Sequence, residues 1–139
     1  MDALARYLLE VRKPGQTVNP LFAFLNVSLT EADPSRAVLT LPFRPEFLQG
    51  VGLVAGGVLA ALADEAMAHV VMAGLLPGQK TATVEMSVRY LRAVPSGDLR
   101  AVGTVVHRGR RVVSAEAVIT DEKDRVAVKA AGSFFVLDA

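Results

Sequence analysis

Asp64 is the side chain best placed to do chemistry. It follows the pair Gly56-Gly57 and a run of small and apolar residues from Val58 to Ala63. On a helix its same-face neighbours are Gly57, Ala60, Ala61, Met67 and Ala68, because positions three, four and seven apart share a face. None is a Lys or Arg, and most are too small to cover a carboxylate. Space beside a carboxylate on a core-like helix suits a general base or a nucleophile. The plainer alternative is an Asp on a solvent-facing helix edge. Glu65 is the competing acid, but His69 stands four residues on, as in an ordinary helical pair.

Gly56-Gly57 opens this helix with no Ser, Thr, Asp or Asn cap before it. The first N–H groups of a helix lack intrahelical acceptors and lie at the positive end of its dipole. A carbonyl oxygen can approach the Gly56 N–H closely, and one such donor is worth about 10²–10³ in rate. The competing explanation is that the glycines let the helix pack close to a sheet. Arg108-Gly109-Arg110-Arg111 is the dense basic cluster of the chain. Arginine pairs with phosphate through two parallel hydrogen bonds, although basic hairpin tips are commonly just solvated. Arg89 and Arg92 are weaker phosphate candidates, and His69 and His107 are expected to be structural.

Composition narrows the field. The chain has 139 residues, enough for one domain with a real core. It is 52% hydrophobic but only 6% aromatic, with a mean hydropathy of +0.39. So much Ala, Val and Leu in so short a chain points to surface hidden in a homo-oligomer. A net charge of +1 offers no electrostatic case for nucleic acid or a membrane surface. The absence of Cys removes disulfides and thiol nucleophiles, and two His exclude a His-rich metal site. No metal or cofactor is expected. The apolar run from Val51 to Ala63 is too short for a membrane span. The N-terminus has an amphipathic pattern rather than that of a signal peptide, so a cytoplasmic location is expected.

The elements that must position these residues follow from periodicity. Residues 2–12 predict a helix stopped by Pro14-Gly15, and residues 1–19 precede the core. Leu21 to Phe24 suits a short helical turn. Phe24 to Glu31 and Ala37 to Phe43 predict a hairpin across Asp33-Pro34-Ser35. Residues 44–55 form a loop. Gly56 to Ala73 predicts a buried helix, ended by Gly74 and Pro77-Gly78. Strands are predicted over Thr81 to Leu91, Leu99 to His107, Arg111 to Thr120 and Arg125 to Leu137. The first alternates throughout, with Thr81, Thr83, Glu85, Ser87 and Arg89 on one side and Ala82, Val84, Met86, Val88 and Tyr90 on the other. Consecutive strands joined by short turns are expected to pair antiparallel.

Three segments carry a family resemblance: Leu41-Pro42-Phe43-Arg44-Pro45-Glu46-Phe47, then Gly52 to Asp64, then Thr83 to Leu91 with Gly109-Arg110-Arg111 downstream. Over residues 20–137 the sequence resembles the hotdog-fold acyl-CoA thioesterases, most closely their phenylacetate-degradation (PaaI-type) branch. The resemblance implies an α+β hotdog fold, an antiparallel sheet of about six strands wrapped around one long central helix. It implies acyl-CoA hydrolysis, with Asp64 as base or nucleophile and the Gly56 N–H polarising the thioester carbonyl. Asp64 would reach across a dimer interface towards the Gly56 of a second subunit, in a dimer or dimer of dimers. Thr83 would orient the water and Gln49 the water or substrate. Gly57, Tyr90, Arg108, Gly109, Arg110 and Arg111 would contact substrate, the arginine turn lying near the nucleotide end of CoA. Two positions depart from the family. Its His before Gly-Gly is Ala55 here, and its usual Asn is Gln49. These departures favour an alternative, a hotdog protein that binds acyl-CoA without turnover. A hydratase or dehydratase would need a His base beside its acid, which the active-site segment lacks.

Overall fold

A computed structural model describes residues 1–138. The chain begins with helix α1, Ala3–Glu10, whose first turn is capped by the Asp2 carboxylate accepting from the Ala5 N–H at 3.0 Å. Helix α2 spans Pro20–Leu25. Asn19 caps it by accepting from the Phe22 N–H at 3.0 Å, and Pro20 supplies a preset first-turn φ. Asn26 ends it in the left-handed region, φ 64°. This capped helix corrects the expected strand from Phe24: strand β1 runs only over Ser28–Ala32. It pairs with β2, Arg36–Leu41, across the expected turn.

Helix α3, Gly56–Met72, is 17 residues long and buries Leu59, Leu62, Ala63, Ala66, Met67, His69, Val70 and Val71. Four long strands follow: β3, Lys80–Tyr90; β4, Leu99–Arg108; β5, Val112–Thr120; and β6, Val126–Leu137. All six strands form one antiparallel sheet in the order β1-β2-β4-β5-β6-β3. The sheet curls around α3, which packs on β2, β3, β4, β5 and β6. The two meet tightly at Gly103 of β4, where a Cβ would stand 2.3 Å from the Ala66 carbonyl oxygen. That glycine, not the Gly56-Gly57 pair, is the one that lets helix and sheet meet. No helix among the described residues is long and apolar enough to cross a membrane.

Two features depart from the sequence expectation, and both bear on the site. The first is the position of β3. It does not pair with β4 but lies at the sheet edge against β6. The segment after it crosses to β4 past the start of α3, held there by the Val54 N–H donating to the Val94 carbonyl at 2.8 Å. The second is a bulge. Thr83 pairs with Phe134 and Glu85 with Ser133, leaving Val84 without a partner. An extra residue reverses the alternation of a strand. Thr81 and Thr83 therefore face the helix side together with Met86, Val88 and Tyr90, which an unbroken alternation would have put on the opposite face.

Candidate active site

The loop before α3 delivers the helix start. The Ala55 N–H donates to the Phe47 carbonyl at 2.9 Å, and Leu48 bridges to Val54. Ala55 occupies the cap position with no side-chain bond to give. Among the described residues, neither the Gly56 nor the Gly57 N–H has an acceptor. The Tyr90 hydroxyl donates to the Gly56 carbonyl at 2.9 Å and fixes this end of the helix against β3. A Cβ on Gly56 would have the Tyr90 ring and hydroxyl as its nearest neighbours, at 3.3 Å, and one on Gly57 would meet nothing within 4 Å. Internal packing therefore does not require Gly57 to be a glycine. Gln49 is exposed, and its side-chain oxygen accepts from the Val51 N–H within its own turn. It lines a cleft of about 340 Å³ with Gly56, Tyr90 and Arg92.

Asp64 lies two turns along α3, half-buried. The Thr83 hydroxyl donates to its Oδ1 at 2.8 Å. The β3 bulge makes this contact possible, since it turns both Thr83 and Tyr90 towards the helix. At 1.5 Å per residue, Asp64 stands about 12 Å along the axis from Gly56 of its own chain. A carbonyl held at that Gly56 is out of its reach. The same chain thus presents a carboxylate with an aligned hydroxyl, and separately a helix start with free donors.

Beside Asp64 opens a cavity of about 590 Å³, lined mainly by apolar side chains. Glu65 also lines it. Burial, and next the Asp64 charge, push the Glu65 carboxyl up to about 7. Behind Glu65 lies His69, fully buried and held neutral, its pKa lowered to about 4 by that burial. Its Nδ1 is 2.7 Å from the Glu65 carbonyl oxygen, which can only accept, so Nδ1 carries the ring proton. Nε2 is then an acceptor, and the Tyr7 hydroxyl donates to it at 2.8 Å. Asn19 Nδ2 in turn donates to the Tyr7 oxygen at 2.9 Å. The 3.6 Å approach of Nδ1 to the Glu65 carboxyl is therefore not an ion pair, since the ring is uncharged and its proton is already engaged. This corrects the expected Glu65–His69 helical pair.

The arginine turn lies at the other end of α3. Arg108 donates to the Val70, Val71 and Pro34 carbonyls at 3.0–3.2 Å and so caps the C-terminus of the helix. Its guanidinium thus ties the hairpin to the end of the helix. Gly109 is required by the hairpin, because a Cβ there would sit 2.6 Å from the Val112 carbonyl oxygen. Arg110 and Arg111 are exposed and have no ion-pair partner among the described residues.

The fold therefore brings Asp64 to Thr83, and brings Gly56 to Tyr90 and Gln49, as two clusters within one chain. Sequence reasoning missed Tyr7 and Asn19. The capping signal Asn19-Pro20 was legible, but nothing local shows that the Asn19 side chain also reaches a tyrosine on α1.

Comparison with known proteins agrees with this architecture. Residues 51–128, more than half the chain, match the thioesterase superfamily. The proofreading thioesterase EntH of Cronobacter turicensis is 34% identical over 112 residues, covering 78% of this chain and 80% of that protein. A hypothetical thioesterase of Streptococcus pneumoniae, solved with coenzyme A, superposes with a TM-score of 0.76 at 28% identity, covering 83% of this chain and 91% of that one. A phenylacetic acid degradation-related protein of Ralstonia eutropha shares the fold, with a TM-score of 0.84 at 23% identity and coverage of 93% and 98%. With a long helix wrapped by six antiparallel strands and a match to the family across the helix and most of the sheet, the chain belongs to the thioesterase superfamily and has its hotdog fold.

Proposed function

We propose that this thioester hydrolase acts on acyl-CoA and that Asp64 is its general base. The observation that carries the reading is the 2.8 Å bond from Thr83 to Asp64 Oδ1 at the mouth of the apolar cavity. With Oδ1 held, Oδ2 is left to take a proton from water. The water oxygen attacks the thioester carbon, the carbonyl oxygen becomes an oxyanion, and the adduct collapses to the acid. The CoA thiolate leaves and takes the proton from Asp64. The Gly56 N–H stabilises the oxyanion. Because Gly56 and Asp64 of one chain are about 12 Å apart, the donor comes from a second copy. The free edge of β3 offers the backbone groups through which two copies join into a homodimer. CoA is supported as leaving group by the coenzyme-bound relative. Arg110 and Arg111 are the side chains free to meet its phosphates, Gly57 gives the thioester room, and Gln49 and Tyr90 border its approach.

Release of free CoA from short-, medium- and long-chain and aryl acyl-CoAs tests the reading, and turnover of any of them supports it. A second reading rests on Ala55, which caps α3 with no polar side chain: a protein that binds acyl-CoA without turnover. Tight binding with no CoA release across the panel favours that reading and overturns hydrolysis.

A further inference from the structure

The cavity beside Asp64 is not made by the sheet and central helix alone. Helix α1 forms one wall, with Ala3, Leu4 and Tyr7 opposite Ala68, Met72 and Leu75. Leu4, Tyr7 and Leu8 share one face of α1. Tyr7 and Leu8 pack against the core, and Leu4 continues that face over the cavity. The wall is fixed. Tyr7 is bonded to His69 and Asn19, and Asn19 is itself tied to Gln16 by two bonds of 2.9 and 3.3 Å while it caps α2.

We propose, building on the hydrolase reading above, that α1 is the acyl-selecting wall of the site and that Leu4 sets its depth. The acyl group it selects is larger than acetyl and reaches α1 from the Asp64–Thr83 pair. Three observations carry this. The cavity opens directly beside the Asp64–Thr83 pair, so a thioester reacting there places its acyl part in it. Its volume of about 590 Å³ is far more than an acetyl group fills, and lies within the range of pockets that enclose drug-sized ligands. The Tyr7 hydroxyl already donates and accepts within the fold, so the α1 wall meets an acyl group with its apolar surface rather than with a free donor.

The test is calorimetric binding of butanoyl-, octanoyl-, dodecanoyl- and phenylacetyl-CoA to the full chain, to Leu4→Trp and to Leu4→Ala. Far-UV circular dichroism checks each fold, and CoA release is followed in parallel. Each methylene taken from water is worth about a factor of four, so a tryptophan that excludes two of them lowers the octanoyl-to-butanoyl affinity ratio about fifteenfold. Leu4→Ala shifts preference the other way, raising dodecanoyl relative to octanoyl. Unchanged chain-length ratios in both folded variants overturn the proposal. Binding that follows chain length as expected, with no CoA release by the wild type, upholds the wall and sinks the hydrolase reading. CoA release with identical chain preference in all three proteins does the reverse.

Discussion

Glu65→Gln gives a test whose size follows from the geometry. The folded chain raises the Glu65 carboxyl from 4.5 to about 7, through burial and then the charge of Asp64. Between those values the folded chain holds a proton that the unfolded chain has released. The contribution to stability is therefore complete below pH 4.5 and is lost as pH rises through 7. The loss runs at about 1.4 kcal/mol per pH unit. With 23% of the Glu65 side chain exposed, some solvation remains, and the whole effect is about 2–3 kcal/mol. Glutamine keeps the shape of the protonated acid and does not titrate. The variant is thus as stable as wild type at pH 4, and more stable by about 2–3 kcal/mol at pH 8. His69 gives the opposite slope, because its pKa is lowered from 6.5 to about 4 and its contribution is lost as pH falls through that window. In the wild type the two slopes oppose each other between pH 4.5 and 6.5. In the variant the His69 slope stands alone. Urea unfolding of both proteins at pH 4 to 8 measures the difference, from which groups common to both drop out. A difference that does not change with pH, or that favours wild type at pH 8, refutes the account of Glu65 as a buried, protonated neighbour of Asp64.

Three further outcomes follow from named contacts. Thr83→Val keeps a good strand former at an exposed edge but removes the bond to Asp64; kcat falls about 10–100-fold while the urea midpoint stays put. Arg108→Ala frees the carbonyls of Val70, Val71 and Pro34 and costs about 1–3 kcal/mol in unfolding experiments, with KM for acyl-CoA unchanged; a raised KM at unchanged stability would make Arg108 a binding residue instead. Gly103→Ala forces a methyl to 2.3 Å from the Ala66 carbonyl and abolishes or severely weakens folding by circular dichroism, whereas Gly57→Ala, with nothing within 4 Å, folds normally.

The sequence made α3 legible because its signals are local: Gly56 before it, Gly74 and Pro77-Gly78 after it, and apolar residues nearly all round. Asp64 stood out for the same reason, as a lone acid among small neighbours. The position of β3 was not legible, since its partner is β6, some fifty residues on, rather than the strand that follows it. Nor was the bulge at Val84, because nothing in a strictly alternating pattern says where an extra residue is accommodated. That bulge decides whether Thr83 can meet Asp64. The short helix α2 was partly legible in Asn19-Pro20, but apolar Phe24 and Leu25 suit a strand as well as a helix until Asn26 turns the chain. The dual use of Asn19, and the bond from Tyr7 to His69 62 positions away, are products of tertiary packing.

The central claim is that Asp64 does the chemistry. Its most direct test compares CoA release by wild type and by Asp64→Asn on the best acyl-CoA substrate, with binding of that substrate measured alongside. Asparagine keeps the Thr83 contact and the cavity but cannot take a proton from water. The expected result is loss of about 10²–10⁴ in kcat with substrate still bound. An Asp64→Asn protein that releases CoA as fast as wild type would contradict the assignment and move the chemistry away from the Thr83–Asp64 pair.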